Sequence, residues 1–373
     1  MMGDGLDVGY IAYVSIMNLE ERLKLIKRGT QEIITEAELK QLIEEKKSPK
    51  AYWGFECSGL MHIGMGLVVG YKIRDLIKAG LRFYIFLADW HSWINNKLGG
   101  DMNKIRLAGE YFKEGFKALG IKGENVKYIW SSELVKSPKY WETVIKIAKK
   151  TTLNRAIRTL PIMGRKETSK ISEVAWLIYP LMQAADIFEL GVDIACAGID
   201  QRKVHMLARE VAKSLDRKKP VLIHTPLLPS LNVPVPRSTA EVIDVKMSKS
   251  KGEAIYIHDP PEEIRRKVIA SYCPPKNVDE NPIFYLLKLV IFPHFGKLKV
   301  EREAKYGGDI TYESYDDIVS DYLNGQLHPA DLKEAIARKL IDILAPVRAH
   351  FKRKSEMLEL MVRFDEEQKK IIK

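Results

Sequence analysis

A chain of 373 residues, 46% of them hydrophobic, can bury a full core and has the length of two ordinary domains, which excludes a disordered polymer. Its 60 Lys and Arg against 49 Asp and Glu leave a formal charge of +11, suited to an acidic polymer such as nucleic acid as partner. Cys57, Cys196 and Cys273 lack the spacing of a disulfide framework or a zinc site, and the amino terminus has Asp4 and Asp7 and no long apolar stretch; a reduced, cytoplasmic protein without a secretory leader, a membrane span or a metal centre of its own is expected.

Residues 15 to 50 read as amphipathic helices, with Thr35 and Glu38 forming a capping box ahead of Leu39, Leu42 and Ile43. Residues 1–50 are therefore taken as a helical extension. Strand-like runs then alternate with helical ones: Ala51 to Phe55, Phe83 to Ala88, Val126 to Ile129, Asp193 to Ala197 and Val221 to His224, with helices starting near Met65, Asp101 and Gln201. This alternation predicts an α/β unit over 51–280, a Rossmann-like doubly wound parallel sheet whose ligands gather at the carboxyl ends of the strands. His62, Asp89 and Asp200 fall just beyond such ends. From Asn281 the pattern turns helical, with Leu332, Ala335, Ile336, Leu340, Ile343, Leu344 and Val347 on one stripe. A mainly helical domain is expected over 281–373; its basic cluster Arg348, Lys352, Arg353 and Lys354 is either a phosphate-contacting or a solvated face.

Three patterns carry chemistry. Lys246-Met247-Ser248-Lys249-Ser250 puts two ammonium groups three positions apart in a Pro-rich loop, an arrangement that can close on a polyphosphate as charge develops there; a solvated basic loop is the alternative. Gly64-Met65-Gly66-Leu67-Val68-Val69-Gly70 follows a strand and opens a helix, close to a dinucleotide-binding fingerprint, with Asp89 near the place of its ribose-binding acid. That oxidoreductase reading leaves His62 and the lysine loop unexplained, and the glycines serve close helix packing equally well. Tyr179, Gln183 and Asp186, at i, i+4 and i+7, stack a phenol, an amide and a carboxylate on one helix face among Trp176, Leu177, Ile178, Leu181 and Ile187, with Pro180 read as first-turn. Polar groups in such apolar company need partners, and a ligand is one.

Ser58-Gly59-Leu60-Met61-His62-Ile63-Gly64 and Lys246 to Ser250, in that order on one basic chain, resemble the two signatures of class I aminoacyl-tRNA synthetases. The resemblance implies an ATP site with Mg²⁺ as the nucleotide's companion. It further implies that His62, Lys246 and Lys249 are its catalytic groups, and that Gly54, His62, Gly64, Gly198, Asp200 and Lys246, Met247, Ser248, Lys249 and Ser250 hold the nucleotide, with Gly64 making room for adenine and His62 facing phosphate oxygens. Gly198-Ile199-Asp200-Gln201 is similar to the stretch that holds the ribose, although Asp200 is also well placed to cap the following helix. Met65 departs from the family pattern, which has a second His there; a thioether donates no hydrogen bond.

The polar column, taken with Tyr52 and Gln201, resembles the pocket of tyrosyl-tRNA synthetases of the archaeal and eukaryotic type, a likeness running from about residue 25 to about residue 348. It implies that Tyr52 and Asp186 meet the phenol hydroxyl and that Tyr179, Gln183 and Gln201 hold the amino end. Tyrosyl enzymes are the reference case for what such a site does, rejecting phenylalanine by about 10⁵ without editing. A tryptophanyl enzyme shares both signatures, but an indole N–H only donates, so Tyr52 beside Asp186 suits a phenol better. The same resemblance implies a homodimer. It also implies that Arg158 and Arg202 read the first base pair of the tRNA acceptor stem, with Arg155, Arg165 and Lys166 thickening the patch, and that Tyr306, His328 and Asp331 lie at the anticodon. The helix-capping alternative for that last group has Asp331 as cap and His328 packed beneath. A chain that keeps the RNA-binding surface without catalysis is the competing class.

Overall fold

The computed structural model of the protein describes residues 17–164, 171–236, 247 and 254–372. Arg165, Lys166, Lys246, Ser248, Lys249 and Ser250 lie outside the described residues.

The chain opens with α1 (Leu19–Lys27), β1 (Glu32–Ile34) and α2 (Glu36–Glu45). The capping box at α2 is formed, Thr35 Oγ1 accepting from Glu38 N and Thr35 N donating to Glu38. The extension is not wholly helical, however, because β1 joins the main sheet, with Ile33 opposite Ile223. A three-residue strand is too short for alternation to mark it, and its place was set by the open edge it covers.

That sheet contains β2 (Lys50–Phe55), β3 (Arg82–Leu87), β4 (Val126–Trp130), β5 (Ile194–Gly198) and β6 (Val221–Thr225) in the order β1-β6-β5-β2-β3-β4. Every pairing is parallel except β1 with β6. The strand order reverses between β2 and β5, the crevice where open α/β sheets bind ligands.

Side chains alternate between two cores, as period 2 requires. Ala51, Trp53 and Phe55 with Phe83, Ile85 and Leu87 face one side, against α3 (Gly70–Lys78) and α5 (Met102–Ala118). Tyr52, Phe86, Ala195 and Leu222 face the other, against α6 (Pro138–Lys150), α7 (Ala175–Glu189) and α8 (Arg202–Ala212). A short α4 (Asp89–Ile94) leaves the end of β3.

The glycine run after β2 is a packing device at two of its positions. A Cβ on Gly66 would lie 2.3 Å from Ile257 Cγ2, and one on Gly70 would meet Ile121 and Leu119 at 3.6 Å. Asp89 is also spent internally. It is fully buried, and its Oδ1 accepts from Trp90 N at 3.0 Å, Ser131 Oγ at 2.6 Å and Ser132 N at 2.9 Å, tying β3 to β4 instead of facing a ligand. Neither half of the dinucleotide reading survives.

Beyond residue 281 the fold is mainly helical as expected, with a β7 (Leu298–Val300) and β8 (Ile310–Tyr312) hairpin set into it. α9 (Pro261–Ile269) packs on α11 (Pro329–Lys352), which follows α10 (Tyr315–Asn324). The stripe on α11 buries Leu332, Ile336, Leu340 and Leu344 fully. The last helix, α12 (Ser355–Ile372), folds back along α5. Met361 and Asp365 are buried there, and Lys104 pairs with Glu367 at 2.7 Å. Among the described residues no helix is long and apolar enough to cross a membrane.

Candidate active site

A cavity of about 390 Å³ opens at the carboxyl ends of β2 and β5. Tyr52 and Gly54 reach it from β2, His62, Gly64 and Met65 from the turn before α3, and Tyr179, Gln183 and Asp186 from α7. Gly198, Asp200 and Gln201 enter from the end of β5, and Met247 closes one wall. Residues spread over nearly two hundred positions of sequence thus meet in one crevice because parallel strands deliver their following loops to the same edge.

The floor is a buried polar cluster. Asp186 is 1% exposed and Tyr52 2%. Asp186 Oδ1 accepts from Tyr140 Oη at 2.8 Å, and Oδ2 lies 3.2 Å from His91 Nε2. Burial, and then the charge of Asp186, push the Tyr52 hydroxyl well above the ordinary phenol range, so it is a proton donor at every ordinary pH. Higher on α7, Tyr179 Oη donates to Glu56 Oε1 at 2.9 Å, an oxygen that also accepts from Asn95 at 2.8 Å. Gln183 Nε2 donates to Gln201 Oε1 at 3.1 Å, and Gln201 Nε2 to the carbonyl of Ile162 at 3.0 Å. Those two bonds orient the amides, leaving Gln183 Oε1 buried with no hydrogen-bond donor among the described residues. An orphaned buried acceptor at a cavity wall suits a ligand donor such as an ammonium group. Pro180 lies inside α7 and not in its first turn, because the helix begins at Ala175.

The nucleotide half is built on backbone. Ile63 N donates to Ile255 O at 2.8 Å and Ile257 N to Met61 O at 3.0 Å, which makes His62 and Tyr256 an antiparallel bridge. The segment leaving the lysine loop is therefore hydrogen-bonded to the segment bearing His62. The His62 ring lies over Gly64, where an added Cβ would come within 3.0 Å of it. Met247 N donates to Leu228 O at 2.8 Å, and its side chain is buried, so the described residue of the loop lands on the cavity. At Gly198 an added Cβ would sit 2.7 Å from Asp200 Oδ1 and 2.8 Å from Leu227 Cδ2. Asp200 does not cap α8: it belongs to the 3₁₀ turn Ile199–Gln201, and Gln201 occupies the cap position without a side-chain bond.

Outside the cavity, Arg202 heads α8 with Nε 2.9 Å from both oxygens of Glu32. Arg158 is exposed at the end of the helix Leu153–Ile157. Arg155 links these segments, donating to Lys203 O at 3.1 Å and Glu210 Oε1 at 2.9 Å. In the carboxyl-terminal part Tyr306 is 61% exposed, with Lys305 Nζ 4.9 Å from its ring centroid. The capping alternative is inverted: His328 is the N-cap of α11, accepting from Ala330 N at 3.2 Å, and Asp331 follows in the first turn. Arg302 draws the two loops together through Gly308 O and Gln326 O, each at 2.9 Å.

Sequence reasoning missed Glu56, His91, Tyr140 and His205. Glu56 had a visible signal, an acid directly after the first strand of the sheet. His205 lines the cavity on α8, with Nδ1 3.1 Å from His224 Nε2; it sits on the helix expected from near Gln201, and Tyr140 on a helix that no motif marked.

A sequence profile of the family described as tRNA synthetases class I (W and Y) matches residues 44–345. The tyrosine–tRNA ligase of Sulfolobus acidocaldarius is 47% identical over 353 residues, 92% of this chain and 98% of that protein. Among solved structures, the tyrosyl-tRNA synthetase of Pyrococcus horikoshii complexed with L-tyrosine is 42% identical, with a TM-score of 0.87 over 93% of this chain and 100% of the other. The L-tyrosine complex of the Archaeoglobus fulgidus tyrosyl-tRNA synthetase is 44% identical, with a TM-score of 0.81 over 89% and 99%.

Proposed function

The chain belongs to the class I tRNA synthetases for tryptophan and tyrosine, and from that membership we propose that it is a tyrosine–tRNA ligase. It activates L-tyrosine with ATP to tyrosyl-adenylate and transfers the tyrosyl group to the 3′ end of tRNA(Tyr), releasing pyrophosphate and AMP. The observation that carries the amino-acid assignment is the column Tyr179, Gln183 and Asp186 over Tyr52 in a single cavity. Asp186 accepts from the phenol hydroxyl beside the Tyr52 hydroxyl, while Tyr179, Gln183 and Gln201 receive the ammonium end at the orphaned Gln183 oxygen. Phenylalanine in this site leaves Asp186 and Tyr52 short of a partner. Tryptophan offers a donor alone to a pair built for a group that donates and accepts.

ATP lies along Gly54, His62, Gly64, Gly198 and Asp200, with Mg²⁺ arriving as its companion. A tyrosine carboxylate oxygen bonds to the α-phosphorus as the bond to the β-bridging oxygen breaks, and Lys246, Lys249 and His62 take the charge on the departing pyrophosphate. The terminal adenosine hydroxyl of the tRNA, the 2′ one by family likeness, then attacks the adenylate carbonyl and AMP leaves. No side chain becomes a nucleophile, so catalysis is positioning and electrostatics. The unit 51–280 is the catalytic domain behind the 1–50 extension, with Arg158 and Arg202 at the acceptor stem. The unit 281–373 binds the anticodon through Tyr306, His328 and Asp331. The protein works as a cytoplasmic homodimer, for which exposed Ile145, Leu153 and Val174 supply apolar surface.

Tyrosine-dependent exchange of pyrophosphate into ATP, followed by charging of tRNA(Tyr), is the test. Exchange with tyrosine and not tryptophan is expected; exchange with no amino acid would overturn the enzyme reading in favour of an RNA-binding protein. Sedimentation at a dimer mass is expected alongside it.

A further inference from the structure

Asp186 projects into the cavity from a helix whose neighbours fix where its carboxylate points. Tyr140 stands behind it in the first turn of α6, 1% exposed and absent from the cavity wall. Its hydroxyl has two acceptors in reach, Asp186 Oδ1 at 2.8 Å and the Met182 carbonyl at 3.3 Å. One proton serves the nearer, charged oxygen, and such charge-assisted bonds are the stronger kind. On the other side His91, also buried, brings Nε2 to 3.2 Å from Oδ2 without hydrogen-bond geometry, neither ring nitrogen having a hydrogen-bond partner among the described residues. Its ring packs edge-on against Tyr179, centroids 4.9 Å apart at 90°, and against Phe86 at 6.2 Å and 75°. One carboxylate oxygen is thus held by the Tyr140 hydrogen bond while the His91 ring bounds the space beside the other, and the lone pairs left over are those available to the cavity.

We propose that Tyr140, assisted by His91, is a positioning residue that sets the preference for tyrosine over phenylalanine by holding the Asp186 carboxylate toward the phenol hydroxyl. The inference rests on Asp186 being the partner of that hydroxyl. The physical reason is preorganisation: an acceptor already aimed costs nothing to orient when the phenol arrives, and it cannot turn to other donors when phenylalanine arrives. With Tyr140 reduced to a ring, the carboxylate rotates toward His91. Tyrosine then meets a poorly aimed acceptor, and phenylalanine escapes the penalty of an unsatisfied one.

The test compares pyrophosphate exchange with tyrosine and with phenylalanine for the wild type, Tyr140→Phe, His91→Phe and Asp186→Asn, with thermal melting of each. For Tyr140→Phe, kcat/KM for tyrosine is expected to fall about 10- to 100-fold, the span of a hydrogen bond to a charged group. The loss enters mainly through KM, while kcat/KM for phenylalanine rises and the KM for ATP stays near wild type. His91→Phe, which keeps the edge contacts, shifts the same ratio in the same direction and stands in if Tyr140→Phe does not fold. A tyrosine-to-phenylalanine ratio unchanged in Tyr140→Phe and His91→Phe but lowered in Asp186→Asn overturns this inference alone. A ratio unchanged in Asp186→Asn overturns the reading of Asp186 beneath it. Equal losses for both amino acids with a lowered Tm reduce Tyr140 to scaffold and also overturn the inference.

Discussion

Glu32 on β1 holds Arg202 at the head of α8, both carboxylate oxygens 2.9 Å from the guanidinium Nε. Beneath that pair His224 Nδ1 lies 2.8 Å from Glu32 Oε2, and His205 stands between His224 and the cavity. Burial lowers the pKa of both imidazoles, and His205 is lowered further by His224. The edge strand therefore fixes a cation proposed to meet the acceptor stem. Glu32→Gln should raise the KM for tRNA in charging about tenfold, as loss of one charge-assisted bond does, and leave pyrophosphate exchange near wild type. Equal effects on both assays would contradict it.

Gly198 and Gly66 both exclude a side chain, for different reasons. Gly198→Ala drives a methyl group against Asp200 and Leu227 at the proposed ribose site; the KM for ATP should rise at least about tenfold, more than that for tyrosine, with about 1–3 kcal/mol of overpacking cost. Gly66→Ala meets Ile257 in the core, so the melting temperature should fall by several degrees. Parallel titrations of ATP and tyrosine with both variants separate the two outcomes.

Stability should fall as the solution is made acid. Burial lowers the imidazoles of His258 and His294 to about 4 from an ordinary 6.5, His258 further through Lys267. Between those values the unfolded chain binds protons that the folded chain does not, so stability is full above about pH 6.5 and is lost on descent toward pH 4, at about 1.4 kcal/mol per pH unit for each histidine. His294, whose ring lies 4.6 Å from that of Tyr71, is the simpler probe. His294→Phe should flatten the dependence of Tm on pH between 6 and 4.5; an unchanged slope would remove His294 from the account.

The last helix should matter to the first reaction step. Asp365 is buried, and after burial itself it is the largest cause of the raised Tyr256 hydroxyl pKa. Tyr256 is the residue bridged to His62. Ending the chain after Lys354 removes Met361 and Asp365 from the face of α5. It should cost about 2–5 kcal/mol, as loss of a large buried side chain does, and should slow exchange more than it weakens tyrosine binding. Calorimetry of tyrosine binding beside exchange rates decides this, and unaltered exchange would confine α12 to stability.

Periodicity and turn chemistry are local, and they determined much of this protein from the sequence alone. The strands β2 to β6, the capping box at Thr35 and Glu38, the α11 stripe and the α7 column Tyr179, Gln183 and Asp186 were all legible, because spacing along one element fixes which side chains share a face. The signature segments around His62 and Lys246 resembled those of the family to which the chain belongs. What crosses from one element to another was decided by tertiary structure. β1 exists because β6 had an open edge, Asp89 turned inward because Ser131 and Ser132 stood opposite, and His328 took the cap expected of Asp331. Tyr140 and His91 meet Asp186 only because α4 and α6 pack beside α7, a pairing that no periodicity in a single helix encodes.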